Sequence, residues 1–483
     1  MKVMMKKEDT VAEHHASPLA HHPSLFRNAA WMAWSGLMGI ANSVVLWALI
    51  ARWRETEEMG RFTIVMSIGF IFIILCSLGL GPYLTSEIAR RTEKERGPFI
   101  ASATFYLLAW SIVCAVLMIG TGFLVSPSPE VRWANAILSL AMLPTGLISI
   151  AEPTFTAYGR TRVIAIASTT ENIIRTIVPL VLLYRGYGLA AIFLTLTISR
   201  VAACAVYALV LRGRLKTLAA AQWKLVREIA SKTPTFAGVT ILGTLHLQAA
   251  AVLIGRLGGE AVAAQFGVAS RILIPASVLL TSFANVVQPT ASRLAASSLE
   301  QLGKFLSHNL KVVILLVLPM VVGVAMLARD ALGIVFGTKY ADAALPLSLL
   351  AMSVIPFGLA MITARGLVAT GKQHIDLIGN AVAVVTNLTL NLILIPRYSA
   401  TGAALAQLIS MIVLAAFEIG YSAARLFRLT MWRAVIVCAW PLALMTLAVW
   451  QARQLGLWGA VAAGGVVYLG CLWLKRRDLR FGF

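Results

Sequence analysis

The sequence predicts an all-α integral membrane protein of about fourteen transmembrane helices. Two six-helix bundles, parallel repeats around a central cavity, are followed by two C-terminal helices. Three observations carry that expectation. Of 483 residues, 59% are hydrophobic and 13% charged, with a mean hydropathy of +0.83; a soluble domain carries roughly 25% charge, and so few polar residues cannot cover a water-facing surface. The apolar residues gather into stretches of about 20, enough to cross a hydrocarbon core of ~30 Å. The chain also resembles itself at a nearly constant offset.

The expected spans, in order, are 28–51, 62–82, 99–125, 133–152, 163–184, 188–211, 233–255, 261–289, 311–328, 343–369, 375–394, 400–424, 432–452 and 456–474. The ninth is short, and the last two are bounded mainly by charges. These divide the chain into a polar cytoplasmic tail (1–27), a first bundle (28–211), a cytoplasmic linker (212–232), a second bundle (233–425), and two extra helices with a basic tail (426–483). Prolines inside spans, at Pro144, Pro179, Pro275, Pro319, Pro356 and Pro441, are candidate kinks.

The self-similarity is ordered. Leu49-Ile-Ala-Arg-Trp aligns with Leu253-Ile-Gly-Arg-Leu, placing Phe62 opposite Phe266. Ala157-Tyr-Gly-Arg aligns with Ala369-Thr-Gly-Lys, and Gly188-Leu-Ala-Ala with Gly402-Ala-Ala-Leu, at offsets of 204, 212 and 214. Six spans per copy bring both copies into the membrane the same way round, so the repeats are parallel and a site is expected between them.

Net charge is +21, from 41 Lys+Arg against 20 Asp+Glu. In a lipid-embedded chain this favours a cytoplasmic surface against anionic headgroups over nucleic acid as the partner. With both termini in the cytoplasm, 27 basic residues fall on the inside and 10 outside, the bias of the positive-inside rule. The loops are too short for a soluble catalytic domain, and no Walker A, HExxH or dinucleotide fingerprint is present, which argues against an enzyme. No cofactor or metal site is expected. The five cysteines lie in apolar stretches and read as small buried hydrophobes, and His14, His15, His21 and His22 lie in the polar tail.

Ionisable groups at membrane depth are costly and are candidates for function. Arg175, Arg200 and Arg271 fall ~15–18 Å from the span ends by helix rise; Arg365 is nearer the cytoplasmic end. Glu171 and Glu418 are the carboxylates comparably deep, with Glu152 and Asp376 at the cytoplasmic boundaries. Glu171 and Arg175 are four apart with Glu first, suited to an ion pair on one helix; that pair is either structural or a proton-sensitive switch. Arg200 can pair with Glu171 or Glu418. Arg271 has no partner on its own helix and is the leading candidate to bind an anionic group, because its fork grips phosphate bidentately and stays charged. Asn380, Asn387 and Asn391 share a helix face, for interhelical bonding or for sugar binding at Asn387.

Several short motifs occur in an order that resembles the Wzx-type polysaccharide-biosynthesis flippases, of the multidrug/oligosaccharidyl-lipid/polysaccharide exporter superfamily. They are Gly60-Arg-Phe, Ser77-Leu-Gly-Leu-Gly-Pro, Ile88-Ala-Arg-Arg, Ala269-Ser-Arg-Ile, Phe336-Gly-Thr-Lys-Tyr, Ala369-Thr-Gly-Lys and Leu394-Ile-Pro-Arg-Tyr. The resemblance covers roughly residues 24–425. It implies an inner-membrane flippase that moves a polyprenyl-pyrophosphate-linked oligosaccharide by alternating access, with Arg271 matching a basic cavity position. Arg175, Arg200, Arg365 and Asn387 join it as substrate-binding candidates, and Glu171 and Glu418 are coupling candidates for H+ or Na+. Membrane lipids and polysaccharide polymerase machinery are the other expected partners. Relatives often carry an acidic residue early in span seven, where this chain has His246 and Gln248, which leaves the coupling ion open. The alternative is a cation-coupled multidrug antiporter of the same fold; span one, with no charge between Asn28 and Ala51, offers it no carboxylate.

Reporter fusions test the orientation. Alkaline phosphatase joined after Gly186 is expected to be active and joined after Lys94 inactive, with the reverse for a cytoplasmic fluorescent reporter.

Overall fold

The computed structural model describes residues 39, 42–211 and 221–474, and every regular element among them is helical. The tail 1–27, most of the first expected span, residues 212–220 and the basic end 475–483 lie outside the described residues.

The first lobe comprises α1 (42–53), α2 (Thr56–Ser77), α3 (Gly81–Arg90), α4 (Glu93–Val125), α5 (Pro129–Ser139), α6 (Met142–Ala157), α7 (Thr161–Tyr184) and α8 (Leu189–Leu211). The second comprises α9 (Trp223–Leu257), α10 (Glu260–Ile272), α11 (Ile274–Ser297), α12 (Leu299–Phe336), α13 (Ala344–Ala369) and α14 (Gln373–Arg425). Helices α15 (Trp432–Ala452) and α16 (Gly456–Leu474) pack against α12.

Ten helical segments among the described residues are long and apolar enough to cross a membrane, or eleven with the bent pair α10–α11. The fourteen expected spans condense for identifiable reasons. The eleventh and twelfth run together as α14, the last two form one apolar segment from Val435 to Leu474, and the first is mostly outside the described residues. Within α14 the chain turns at Ser399 (φ 51°, ψ −132°), just after Pro396.

Sequence chemistry sets the other breaks. Leu78 and Gly79 take left-handed conformations in succession (φ 50° and 64°), and Pro82 then opens α3 at its second position, where a missing N–H costs nothing. Pro275 occupies the same position in α11, and the pair α10–α11 bends by 45° there. Helices α7, α12, α13 and α15 continue through Pro179, Pro319, Pro356 and Pro441. A capping box between Thr92 and Glu95 starts α4, and the Ser298 hydroxyl caps α12 by accepting from the Gln301 amide at 3.3 Å. At 38 residues and ~1.5 Å each, α12 runs well beyond the hydrocarbon thickness.

One apolar core spans both lobes. Trp47, Phe62 and Phe193 pack edge-to-face and tilted within it, with ring centroids 5.1 Å and 5.5 Å apart. Helix α9 belongs to both sides. Its start, including Ile229 and Ala237, packs with Leu80, Leu84, Ile88 and Phe99 of the first lobe, and it also lies along α14. Residues 223–232 of the expected linker are therefore helix, packed on the first lobe.

A Cβ on Gly402 would fall 2.2 Å from the Leu394 carbonyl oxygen, because the two arms of α14 nearly touch beyond the Ser399 turn. Gly402→Ala is expected to destabilise the protein by about 1–3 kcal/mol, as at other overpacked sites, seen as a lower unfolding midpoint in detergent.

Candidate functional site: a cationic cavity under an interlobe seam

At one face of the molecule the lobes are sewn together. Gly60 of α2 lies so close to the start of α10 that a Cβ there would sit 1.8 Å from the Glu260 carbonyl oxygen. Beside it, Arg61 Nε donates to Glu260 Oε2 at 2.7 Å. One turn further, a Cβ on Gly267 would meet the Thr63 hydroxyl at 2.3 Å. Arg52 donates to the carbonyls of Ile334 and Val335, the latter at 3.0 Å, and Lys339 to the carbonyl of Arg54. These cations, expected in the outer loops, are spent on the opposite lobe.

Below the seam, the first lobe holds a small cavity of about 40 Å³, partly open to its surroundings. Met66, Gly69, Phe70 and Ile73 of α2 form an apolar wall, and Glu171, Arg175 and Arg200 supply the charge. Arg200 on α8 holds Glu171 on α7, with Nε 3.2 Å from Oε1 and Nη1 donating to Oε2 at 3.4 Å. Glu171 thus takes the neighbouring helix's arginine as its ion-pair partner, in place of the same-helix Arg175 read from the spacing. Arg175 lies within electrostatic reach of both. Helix α7 is a thin wall: it packs chiefly on α8 and turns Ile173, Ile177 and Val181 outward. Asn42 of α1 ties it in place by bonding to the Asn172 carbonyl and the Thr176 hydroxyl.

The other candidates lie elsewhere. Arg271 is 7% exposed, and its guanidinium stacks 3.7 Å above the Trp47 ring. It sits at the seam, outside the cavity lining but within electrostatic reach of Arg175. Arg365 stands in the second lobe beside Asp376 and Glu418. Asn387 is fully buried in that lobe: its amide donates to Gln407 Oε1 at 3.0 Å and Ser410 Oγ at 3.1 Å, and its own oxygen accepts from Asn391 at 2.8 Å. The Ser410 hydroxyl lies 2.9 Å from the Gln407 carbonyl oxygen and also bonds to His246 Nε2 at 2.9 Å. Of the asparagine face, Asn387 bonds across to the returning arm of α14, whereas Asn380 and Asn391 bond along their own helix and Asn391 Oδ1 is buried without a partner. Trp47 and the Glu260 latch were missed from sequence; the motif Gly60-Arg-Phe held the only local cue, a glycine beside a charge.

Two helical lobes joined at one face over a cationic cavity define a membrane transporter with the fold of the multidrug/oligosaccharidyl-lipid/polysaccharide exporter superfamily. The chain belongs to the polysaccharide biosynthesis protein family, whose profile matches residues 25–295. A second profile, that of the lipid II flippase MurJ, matches residues 260–463; both are families of transporters, not enzymes. Among curated proteins, "Probable low-salt glycan biosynthesis flippase Agl15" of Haloferax volcanii is 32% identical over 114 residues, 24% of this chain and 24% of that protein. The succinoglycan biosynthesis transport protein ExoT of Rhizobium meliloti is 24% identical over 349 residues, 70% of this chain and 67% of its own. The match thus spans about a quarter of the first relative's length and two thirds of the second's. Among solved structures, lipid II flippase MurJ in an inward closed conformation has a TM-score of 0.75 at 14% identity, covering 94% of this chain and 99% of that one. An inward-facing multidrug resistance MATE family transporter reaches 0.66 at 16% identity, covering 81% and 94%. At those identities the likeness is one of fold.

The latch predicts a charge-swap result. Glu260→Arg alone is expected to reduce transport at least tenfold by setting two cations face to face, and Arg61→Glu with Glu260→Arg to restore most of it. Restoration is read as transport per folded protein in the membrane.

Proposed function

We propose that the protein is a flippase that carries a polyprenyl-pyrophosphate-linked oligosaccharide across the inner (cytoplasmic) membrane for surface polysaccharide synthesis. Both termini lie in the cytoplasm. The observation that carries this reading is the cavity: two arginines and one carboxylate on an otherwise apolar wall leave a net positive charge, which favours a pyrophosphate. The family match and the glycan-transport names of the curated relatives support the same substrate class.

In this reading Glu171 pairs with Arg200 until an arriving pyrophosphate displaces it, joining Arg175 and Arg200 across α7 and α8. The exposed outer face of α7 suits a lipid tail that stays in the bilayer while the headgroup is enclosed. Rocking of the lobes then opens the seam, Arg61 parts from Glu260, and Arg271 leaves the Trp47 ring to receive the phosphate on the outward side. Arg365 and Asn387 act from within the second lobe, as supports and not as direct ligands in this arrangement. A cation gradient of H+ or Na+ drives the cycle, and a polysaccharide polymerase consumes the product.

The second reading, a cation-coupled multidrug antiporter, draws on the likeness to the MATE fold. The cavity's arginines argue against it, since they repel organic cations.

Mass-spectrometric lipid analysis of cells with and without the protein is the test. Loss of the protein is expected to accumulate a polyprenyl-pyrophosphate oligosaccharide in the cytoplasmic leaflet and to remove the surface polymer. Arg175→Ala and Arg271→Ala are each expected to reproduce that loss with folded protein in the membrane. Unchanged lipid intermediates in all these strains would overturn the proposal.

A further inference from the structure

Helix α11 carries a polar stripe that no step above uses. Ser277, Thr281, Asn285, Gln288 and Ser292 recur at intervals of four, four, three and four residues. At about 100° per residue all five fall within an arc of about 80°, and the stripe runs ~22 Å along the helix. Ala276, Leu280, Ala284, Val287 and Ala291 form the adjoining buried face. Leu279 and Val286, 61% and 75% exposed, lie on the far side. No charge occurs between Arg271 and Arg293. One edge of this helix thus suits lipid, and the other suits something polar and neutral.

The bend at Leu273 frees that second edge. Helix α10 packs along α2 at the seam, but after the 45° turn α11 packs mainly on α12 and α13 of its own lobe. The stripe begins six residues beyond Arg271 and borders the space left between the lobes. Thr281, Asn285 and Ser292 are exposed there.

Bonding within the helix does not consume these groups. Ser277 and Thr281 donate back to the carbonyls of Leu273 and Ser277, at 3.3 Å and 2.8 Å, which leaves their lone pairs open. Asn285 has no hydrogen-bond partner among the described residues. Gln288 Nε2 donates to Ser292 Oγ at 3.2 Å, while its Oε1 is buried without a partner. Unmet amides are costly against hydrocarbon, so this edge faces water or a polar ligand.

Arg271 gives the stripe a direction. Its guanidinium is 7% exposed and stacked on Trp47, with no hydrogen-bond acceptor among the described residues. A headgroup anchored at that end by its pyrophosphate lays its sugars along α11. We propose that the α11 stripe is a carbohydrate-reading surface, with Asn285 and Gln288 bonding the hydroxyls of neutral sugars and Thr281 and Ser292 accepting from them on either side. Amides supply both donors and acceptors, and no cation lies along the stripe to meet an acidic sugar. The sugar assignment rests on the flippase reading; the wetness of this edge does not.

Two measurements on the purified full chain in lipid nanodiscs test it. Thr281→Cys, Asn285→Cys and Gln288→Cys are each expected to react with a charged maleimide about tenfold faster than Leu279→Cys and Val286→Cys, because a thiol against lipid resists ionisation. Equal rates at the two edges would overturn the proposal. The second measurement compares polyprenyl pyrophosphate without sugar with the lipid-linked intermediate extracted from cells lacking the protein. The extracted lipid is expected to slow labelling of Thr281→Cys where the sugar-free lipid does not. Asn285→Leu and Gln288→Leu are each expected to weaken its binding about tenfold, the scale of a lost hydrogen bond to a sugar hydroxyl, with no such loss for the sugar-free lipid. Equal protection by both lipids, or equal losses for both, would overturn the sugar assignment and leave the flippase reading standing. Absence of any accumulated intermediate would refute the flippase reading and the sugar assignment with it, and the labelling contrast would still decide whether α11 lines an aqueous space.

Discussion

An arginine carried into the membrane cannot shed its proton, so each buried guanidinium must be met by an acceptor or by an aromatic face. The four arginines inside the spans meet that demand in four ways. Arg200 takes Glu171 from the next helix, Arg271 takes the Trp47 ring, and Arg365 lies within electrostatic reach of Asp376 and Glu418. Among the described residues, Arg175 has only the more distant field of Glu171 to offset it. That graded compensation sets what each can do. A guanidinium already held by a carboxylate must exchange partners to bind an anion; one stacked on an aromatic ring keeps its donors available; an uncompensated one adds its charge to the cavity in full.

The seam has its own geometric logic. At the offset of 204 that relates the repeats, Thr63 and Gly267 are equivalent positions, and they touch. Equivalent residues of two copies can meet only on the axis that relates them, so this contact marks the pseudo-twofold between the lobes. Gly60 and Gly267 allow α2 and α10 to approach at backbone distance, where any larger side chain would hold them apart. Around that point the Arg61–Glu260 pair and the Arg52 and Lys339 bonds to carbonyls add strength that depends on the lobes staying in register.

Membrane residence, the paired construction and several of the breaks were legible in the sequence, because they follow from hydropathy, spacing and proline chemistry. Partnerships were not. The i,i+4 spacing favoured Glu171 with Arg175, yet the packing of α7 on α8 brought Arg200 closer, a tertiary fact with no local signal. Asp376 read as a boundary residue from its distance to a span end; only the fold of α14 brings Glu418, 42 positions away, within electrostatic reach of it. The shared face of Asn380, Asn387 and Asn391 was readable as well, but that Gln407 and Ser410 on the returning arm would take the Asn387 amide was not.

The two C-terminal helices are fastened to one lobe only. Arg453 of their connecting turn pairs with Asp330 of α12 at 3.1 Å, and the Tyr468 hydroxyl donates to the Leu315 carbonyl at 2.8 Å. Leu327 of α12 packs among Met445, Val449 and Ala460. In a rocking cycle they travel with that lobe and enlarge its footprint in the bilayer. Resistance to turning within a viscous sheet rises steeply with footprint, so under the proposed cycle the broad half would act as a keel and the narrower half, which holds the cavity, would make the larger swing.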